Sequence, residues 1–200
     1  MQMGPNLIQR LILPPPDLPI VVVLTAFLLV VAYYDFRYRR IPNWSTVSAA
    51  LAGLVLNGFL QASGSSVFSL RGIAFSLLGL VVGFAVYLVL YTIHAISAGD
   101  VKMMGAIGAL VGGAQWVRIW IFGAIAGAVL GIIVVLMKGR VKKTMWNVGF
   151  IFSELGHGRP AYLNREELDV KSDKGLRLPH GVGIAVGALV YLLASFRFGR

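Results

Sequence analysis

The sequence contains no cysteine, and this absence removes several chemistries at once. A chain without cysteine has no disulfide bond, no thiol nucleophile and no zinc site built on thiolates. Charged residues are also scarce, at 13% of the chain, and only eight of its 200 residues are acidic. The chemistry of any catalytic site must therefore come from Asp, Glu, His, Ser or Lys.

Apolar residues are abundant instead, at 58% of the chain, which is far above the composition of a soluble domain. A helix that crosses the hydrocarbon core of a bilayer needs about 20 apolar residues. Because an open strand in lipid would leave backbone groups unpaired, each long apolar run is predicted to be a helix. The sequence predicts an all-α fold, a polytopic membrane helix bundle forming one domain over residues 1–200.

About six transmembrane helices are predicted. Their spans are Leu18–Tyr34, Trp44–Leu60, Gly72–Ile93, Val101–Gly113, Val117–Met137 and Gly181–Phe196.

Two segments outside these runs have distinct compositions. Residues 1–17 end in consecutive prolines, which favour an extended lead-in to the first helix. Residues 138–179 are predicted to be a basic cytoplasmic loop, whose start, KGRVKKTMW, is typical of an amphipathic stretch that lies at the membrane surface.

The distribution of basic residues predicts the orientation of the chain, because short loops rich in Lys and Arg face the cytoplasm. The loop after the first helix holds three arginines, and residues 138–177 hold nine basic residues against five acidic ones. The loops around Gln61–Arg71 and Ala114–Arg118 hold one Arg each. The protein is therefore predicted to lie in the cytoplasmic (inner) membrane, with its N-terminus on the side away from the cytoplasm and with Asp35 and Asp100 on the cytoplasmic side. The net charge of +10 is expected to set the orientation of the chain in the membrane and to contact anionic membrane lipids, which are the predicted partners on this surface. No nucleic-acid partner is predicted.

Between Leu18 and Met137 the chain has only two acidic residues, Asp35 and Asp100. The predicted topology places both at cytoplasmic ends of helices and at similar depth. An ionisable group in a membrane segment is costly unless it is paired or lines a cavity, so each is a candidate functional residue. Two carboxylates within a few ångströms share a proton and titrate as a pair, and they can activate a water between them.

Other roles for the two aspartates stay open at this point. Asp35 could form an interfacial ion pair with a nearby arginine or with Lys102. A divalent metal usually takes more oxygen ligands than two, and coupling-ion sites of transporters tend to lie near the bilayer midplane. His94 and His180 are predicted to lie near the same cytoplasmic level as the two aspartates, but neither belongs to a metal-binding or nucleophile motif. No metal and no other cofactor is predicted.

Glycines recur at four-residue intervals in the third, fourth and fifth predicted helices, and this spacing allows helix backbones to approach closely in lipid. These three helices are therefore expected to be in contact. The glycines are Gly79, Gly83, Gly108, Gly112, Gly123, Gly127 and Gly131.

Three stretches resemble the type IV prepilin peptidases, a family of GxGD intramembrane aspartyl proteases. DFRYRRIPN, which begins at Asp35, is similar to the segment of the first catalytic aspartate. SAGDVKMMGAIGALVG, which begins at Ser97, is similar to the GxGD segment, and LPHGVGIAVGAL, from Leu178, resembles the closing helix. The resemblance extends over Leu18 to Ala194 and implies that Asp35 and Asp100 are catalytic.

The resemblance also assigns expected roles to neighbouring residues. Gly99 is expected to allow a sharp turn that aims Asp100, and Lys102 to provide local charge balance or to set topology. Ile41, Pro42 and Asn43 form a turn that is expected to present Asp35.

The sequence departs from the family at two positions of these motifs. Ser97 stands where the family has the first Gly of GxGD, and His180 stands where it often has Tyr. Ser97 is small enough for close backbone approach, but it gives a tight turn less freedom than Gly.

The resemblance implies a membrane aspartyl endopeptidase that removes the short leader peptide of prepilin-like proteins at the cytoplasmic face. The chain lacks the cysteine-containing insertion of the longer family members, so it resembles the short, peptidase-only form associated with Tad/Flp pili, without methyltransferase activity. A peptidase for archaellin-type precursors is an alternative. A non-catalytic assembly component or a small transporter is an alternative of a different class.

Overall fold

A computed structural model describes residues 14–62, 67–139, 141–156 and 180–198. All regular secondary structure within them is α-helical, which confirms the predicted class. The helices are α1 Leu18–Tyr38, α2 Asn43–Leu60, α3 Leu70–Thr92, α4 Ala98–Met137, α5 Val141–Gly156 and α6 His180–Phe198. Four of them, α1, α3, α4 and α6, are long and apolar enough to cross a membrane, so the chain is an integral membrane protein. The count of six spans remains a prediction.

Helix α4 reverses direction at Gly112, which has the non-helical angles φ 72° and ψ 170°. In a straight helix, Met104 and Trp116 would lie about 18 Å apart along the axis. The Trp116 indole N–H instead donates a hydrogen bond of 3.1 Å to the Met104 carbonyl. The 40 residues of α4 therefore form two antiparallel arms, residues 98–111 (α4a) and residues 113–137 (α4b).

The position of this reversal corrects the predicted loop at Ala114–Arg118. Those residues are helical, and the Arg118 guanidinium donates to the Ala114 carbonyl within the helix. The chain turns at Gly112 because glycine adopts a positive φ readily, and because the Phe75 ring lies where a Cβ of residue 112 would be.

Side chains of α2 and α3 cap the end of α4a at the reversal. Carbonyl groups in the last turn of a helix have no partner within the helix, and hydrocarbon offers no water to replace one. The Asn57 side-chain amide donates to the carbonyls of Ala109 and Leu110 at 3.2 Å and 3.1 Å, and the Ser76 hydroxyl donates to Ala109 at 2.6 Å. Both capping side chains are buried, so α4a can end inside the protein.

Helix α4a lies at the centre of the helix packing. Every residue from Met103 to Gly112 is buried. Gly79 of α3 contacts the Gly108 backbone, and Gly83 of α3 faces the Met104 carbonyl. The predicted contact among the third, fourth and fifth helices is confirmed, because Trp116 of α4b also contacts Met104 of α4a and Tyr87 of α3. In addition, α4b packs against α6 through two glycine pairs, Gly123 with Gly187 and Gly127 with Gly183.

These antiparallel contacts bring three helix ends to one face of the protein, the site-side face: the end of α1, the start of α4 and the start of α6.

Helix α1 continues four residues beyond its predicted end at Tyr34, because the Arg39 amide caps the Asp35 carbonyl at 3.0 Å. Asp35 therefore lies on a helix rather than in a loop. Helix α5 lies within the predicted cytoplasmic loop, residues 138–179, so part of that segment is helical. The rest of this segment from residue 157 onward, and residues 1–13 of the predicted lead-in, lie outside the described residues.

The Asn57 cap predicts a stability difference between two single variants. Replacing Asn57 by Leu leaves the last carbonyls of α4a without this donor, so the free energy of unfolding in detergent should fall by about 1–3 kcal/mol. Thr92→Val is the matched control, since the Thr92 hydroxyl bonds only within its own exposed helix turn. Equal stability of the two variants in a denaturant titration would refute the capping role.

Candidate active site

Asp35 lies in the last turn of α1, with 8% of its surface exposed. Its Oδ2 accepts a hydrogen bond of 3.1 Å from the Val182 amide, in the first turn of α6. The Gly181 amide also lies near this carboxylate and favours its ionised form. Unpaired amides and the positive end of the helix dipole favour an anion at a helix N-terminus. The start of α6 is therefore a binding site for the Asp35 carboxylate.

Gly181 makes this approach possible. A Cβ at residue 181 would lie 2.9 Å from Asp35 Oδ2 and 3.3 Å from Asp35 Cβ. The first distance is too short for a carbon against an oxygen, so any larger residue must push α6 away from Asp35. The requirement at residue 181 is space rather than unusual backbone angles.

Asp100 lies at the start of α4, with 3% of its surface exposed. Its Oδ2 accepts hydrogen bonds from the Ser97 amide at 3.0 Å and from the Ser97 hydroxyl at 2.8 Å. In return, the Asp100 amide donates to the Ser97 hydroxyl at 3.4 Å. This reciprocal arrangement is a capping box. It holds Oδ2, while Oδ1 has no hydrogen bond within the described part of the chain.

Ser97 has a structural role of its own, as the N-cap residue of α4. Its φ of −86° and ψ of 157° are ordinary extended values, so glycine freedom is not needed at this position. The pattern S-x-x-D before an apolar run is a recognisable capping signal, and it was present in SAGD.

The structure brings the two predicted aspartates into one site. The carboxylates of Asp35 and Asp100 are close enough to repel each other electrostatically. Their hydrogen bonds come from backbone amides and from the Ser97 hydroxyl, and Arg39 acts on Asp35 through space. This bonding pattern differs from that of two aspartates held in salt bridges.

The residues that accompany the aspartates hold the ends of the helices together. Lys102 Nζ donates to Asn43 Oδ1 at 2.9 Å, which joins the start of α4 to the start of α2. Pro42 is the N-cap residue of α2, and its carbonyl accepts bonds from the amide and the hydroxyl of Ser45.

The turn predicted at Gly99 is wrong, because Gly99 has helical backbone in the first turn of α4. A Cβ at residue 99 would lie 3.3 Å from the Cβ of Ile41. Gly99 therefore provides space for the loop that follows Asp35, and the aiming of Asp100 comes from the capping box.

A buried tyrosine beside the site was not found from the sequence. The Tyr87 hydroxyl lies close enough to Asp100 to interact with it electrostatically. The Tyr87 ring makes an edge contact with Trp116, which stacks on Trp120. No local motif marks Tyr87, because it reaches Asp100 only through the packing of α3 and α4.

The site contains no constellation for a metal among the described residues, where no three His, Asp or Glu side chains lie close enough together to hold an ion. Its chemistry consists of two buried, interacting carboxylates at the ends of membrane helices. Together with the helical fold, these features define an integral membrane protein with a two-aspartate site at one face.

The family follows from comparison with known proteins. A model of the type IV leader peptidase family matches residues 22–136, which is more than half of the chain. The chain therefore belongs to the type IV leader peptidase family and is a peptidase. Searches of curated proteins and of solved structures gave no significant match.

The capping box predicts the effect of two substitutions at Ser97. Ala removes the cap and should cost about 1 kcal/mol, whereas Gly is a tolerated N-cap residue and should cost only a few tenths. The midpoint of thermal unfolding in detergent should therefore decrease in the order wild type, Ser97→Gly, Ser97→Ala. If Ser97→Ala unfolds at the wild-type temperature, the hydroxyl does not stabilise this helix start.

Proposed function

We propose that the protein is an aspartic-type leader peptidase in which Asp35 and Asp100 form the catalytic dyad. The observation that carries this proposal is the proximity of the two buried carboxylates, each held by a helix N-terminus, on one face of a membrane protein. Family membership supports peptide hydrolysis as the reaction.

The proposed reaction divides the work of general base and general acid between the two carboxyl groups. The ionised aspartate takes a proton from a water while that water attacks the carbonyl carbon of the scissile peptide. The protonated aspartate donates its proton to the carbonyl oxygen, giving a tetrahedral diol. The diol collapses as the peptide C–N bond breaks and the departing nitrogen receives a proton.

The hydrogen bonds of the site support this division of work. Asp100 Oδ2 is held by Ser97, so the orientation of the carboxylate is fixed before a substrate arrives. Asp100 Oδ1 has no hydrogen bond within the described chain and is available to a water or a substrate. Because catalysis depends strongly on preset geometry, these contacts are part of the proposed mechanism.

The substrate class is proposed from the level of the site in the membrane. Tyr34, Tyr38 and Trp44 lie near Asp35 on the site-side face and contact one another with ring centroids 5.5 Å and 6.2 Å apart. Such aromatic side chains are enriched at the membrane–water boundary. A site at this boundary suits a precursor whose polar leader meets an apolar segment at the scissile bond.

The substrates we propose are type IV (Flp-like) prepilins, whose short basic leader is removed at the cytoplasmic face of the inner membrane. Basic residues on the site-side face, Arg37, Arg39, Arg40 and Lys138, support a cytoplasmic orientation. No methyltransferase activity is proposed, because the chain has no cysteine and hence none of the CxxC motifs of the longer prepilin peptidases.

The dyad predicts the effects of two kinds of aspartate substitution. Asp35→Asn and Asp100→Asn should each abolish cleavage of a Flp-type prepilin by the purified protein, because the amide cannot act as base or acid. Asp→Glu at either position should also lower the rate by about 100-fold, since about 1 Å of misplacement can cost that factor.

Leader release is followed by mass, and circular dichroism shows whether each variant is folded. A non-catalytic role for the aspartates, such as ion pairing in an assembly component, would leave the Asp→Glu variants functional. Normal cleavage by either Asn variant would contradict the dyad.

The role of Gly181 predicts a loss of rate without loss of fold. Gly181→Ala should lower kcat by between about tenfold and 100-fold, because its methyl group displaces the start of α6 from the Asp35 carboxylate. Gly149→Ala is the matched control, since a Cβ at residue 149 meets no atom of the described residues within 4 Å. A wild-type kcat for Gly181→Ala would show that the α6 amides do not position Asp35 for catalysis.

A further inference from the structure

A groove of about 360 Å³ lies between α2, α3 and α4a. Its walls include Val47 and Ala50 of α2, Leu80 and Phe84 of α3, and Ala106 of α4a. Val47 has 57% of its surface exposed and Phe84 has 40%, so the groove opens outward from the helices. In a membrane protein, this open side faces the lipid.

One cation stands at the mouth of the groove. Lys102 is exposed and lines the groove beside Asn43, whose side-chain oxygen accepts its hydrogen bond. The described carboxylates lie elsewhere: Asp17 precedes α1, while Asp35 and Asp100 are bound by α6 and Ser97. The charge of Lys102 is therefore not neutralised by a contact with any of these three acidic side chains.

The groove descends from the level of the headgroups into the level of the acyl chains. Asn43 and Lys102 lie in the first turns of α2 and α4, on the site-side face with the aromatic residues of the membrane boundary. Ala50 lies about 10 Å further along α2. The polar end of the groove is thus at the surface, and its apolar end is in the bilayer.

The groove lies on the side of α4a that faces away from the dyad. At about 100° per residue, Lys102 points roughly 200° from Asp100 around the helix. The residues that share the side of Asp100, Met103, Met104 and Ile107, are fully buried in the core. Helix α4a therefore separates the groove from the two carboxylates, so a peptide in the groove would not reach them.

We propose that this groove binds one anionic phospholipid, with an acyl chain between α2, α3 and α4a and the phosphate group beside Lys102. An open apolar groove with a cation at its mouth complements both parts of such a lipid, and basic pockets between membrane helices are known sites for anionic headgroups. The site is separate from the dyad and belongs to the membrane environment of the enzyme.

The test measures lipid retention on the full-length protein by native mass spectrometry, with phosphatidylglycerol and phosphatidylcholine at equal concentrations. Wild type should retain one phosphatidylglycerol in preference to phosphatidylcholine by roughly fivefold, the factor expected for one basic residue near the headgroup. Lys102→Met should remove the preference, and Lys102→Arg should keep it. Ala50→Phe should fill the groove and reduce retention of both lipids.

Lys138→Met is the control, because Lys138 is an exposed cation outside the groove and its loss should leave the preference unchanged. No preference in wild type, or a preference that survives in Lys102→Met, would overturn the proposal. Release of the lipid by one equivalent of a Flp-type prepilin would also overturn it, since the groove would then be a substrate site.

Discussion

The ends of the helices are the points on which this structure depends. A helix end leaves backbone groups without partners, and the hydrocarbon region of a membrane has no water to bind them. At the starts of α4 and α6 these groups are amides, and the side chains of Ser97, Asp100 and Asp35 bind them. At the reversal in α4 they are carbonyls, which Asn57 and Ser76 bind. The same requirement thus fixes the fold and positions the two carboxylates.

The glycines follow from the same arrangement. Capping at Gly112 brings α2 and α3 against the backbone of α4a, and Gly53 and Gly79 leave room for that contact. Gly181 similarly leaves room for Asp35 at the start of α6, and Gly187 brings α6 against α4b. The site therefore rests on a continuous path of close contacts, from α1 through α6 and α4b to the α4a helix that carries Asp100.

The helical membrane fold could be predicted from composition, which needs no knowledge of packing. The count of acidic residues marked Asp35 and Asp100 as candidates for the same reason, and their catalytic role stays a prediction. The sequence placed Asp35 at the end of the first helix but ended that helix at Tyr34, because the apolar run ends there while the helix ends at its Arg39 cap. The reversal was placed at Ala114–Arg118 because the polar residues are there, whereas the contact with Phe75 requires glycine at residue 112. The roles of Gly181 and Tyr87 could not be predicted for the same reason, since each acts on a residue that is distant in sequence. Ser97 could have been found, because its capping pattern is local.

Asp35 and Asp100 are proposed to act as one catalytic unit, and a comparison of single and double variants distinguishes this from two independent roles. Rates of leader cleavage would be measured for Asp35→Glu, Asp100→Glu and the protein carrying both changes, because each single change is expected to leave about 1% of the wild-type rate. Residues that act as a unit give strongly non-additive losses. If the two carboxylates act together, the loss of rate in the double variant is far smaller than the product of the two single losses. Losses that multiply in the double variant would show that the two aspartates contribute independently and would contradict the shared site.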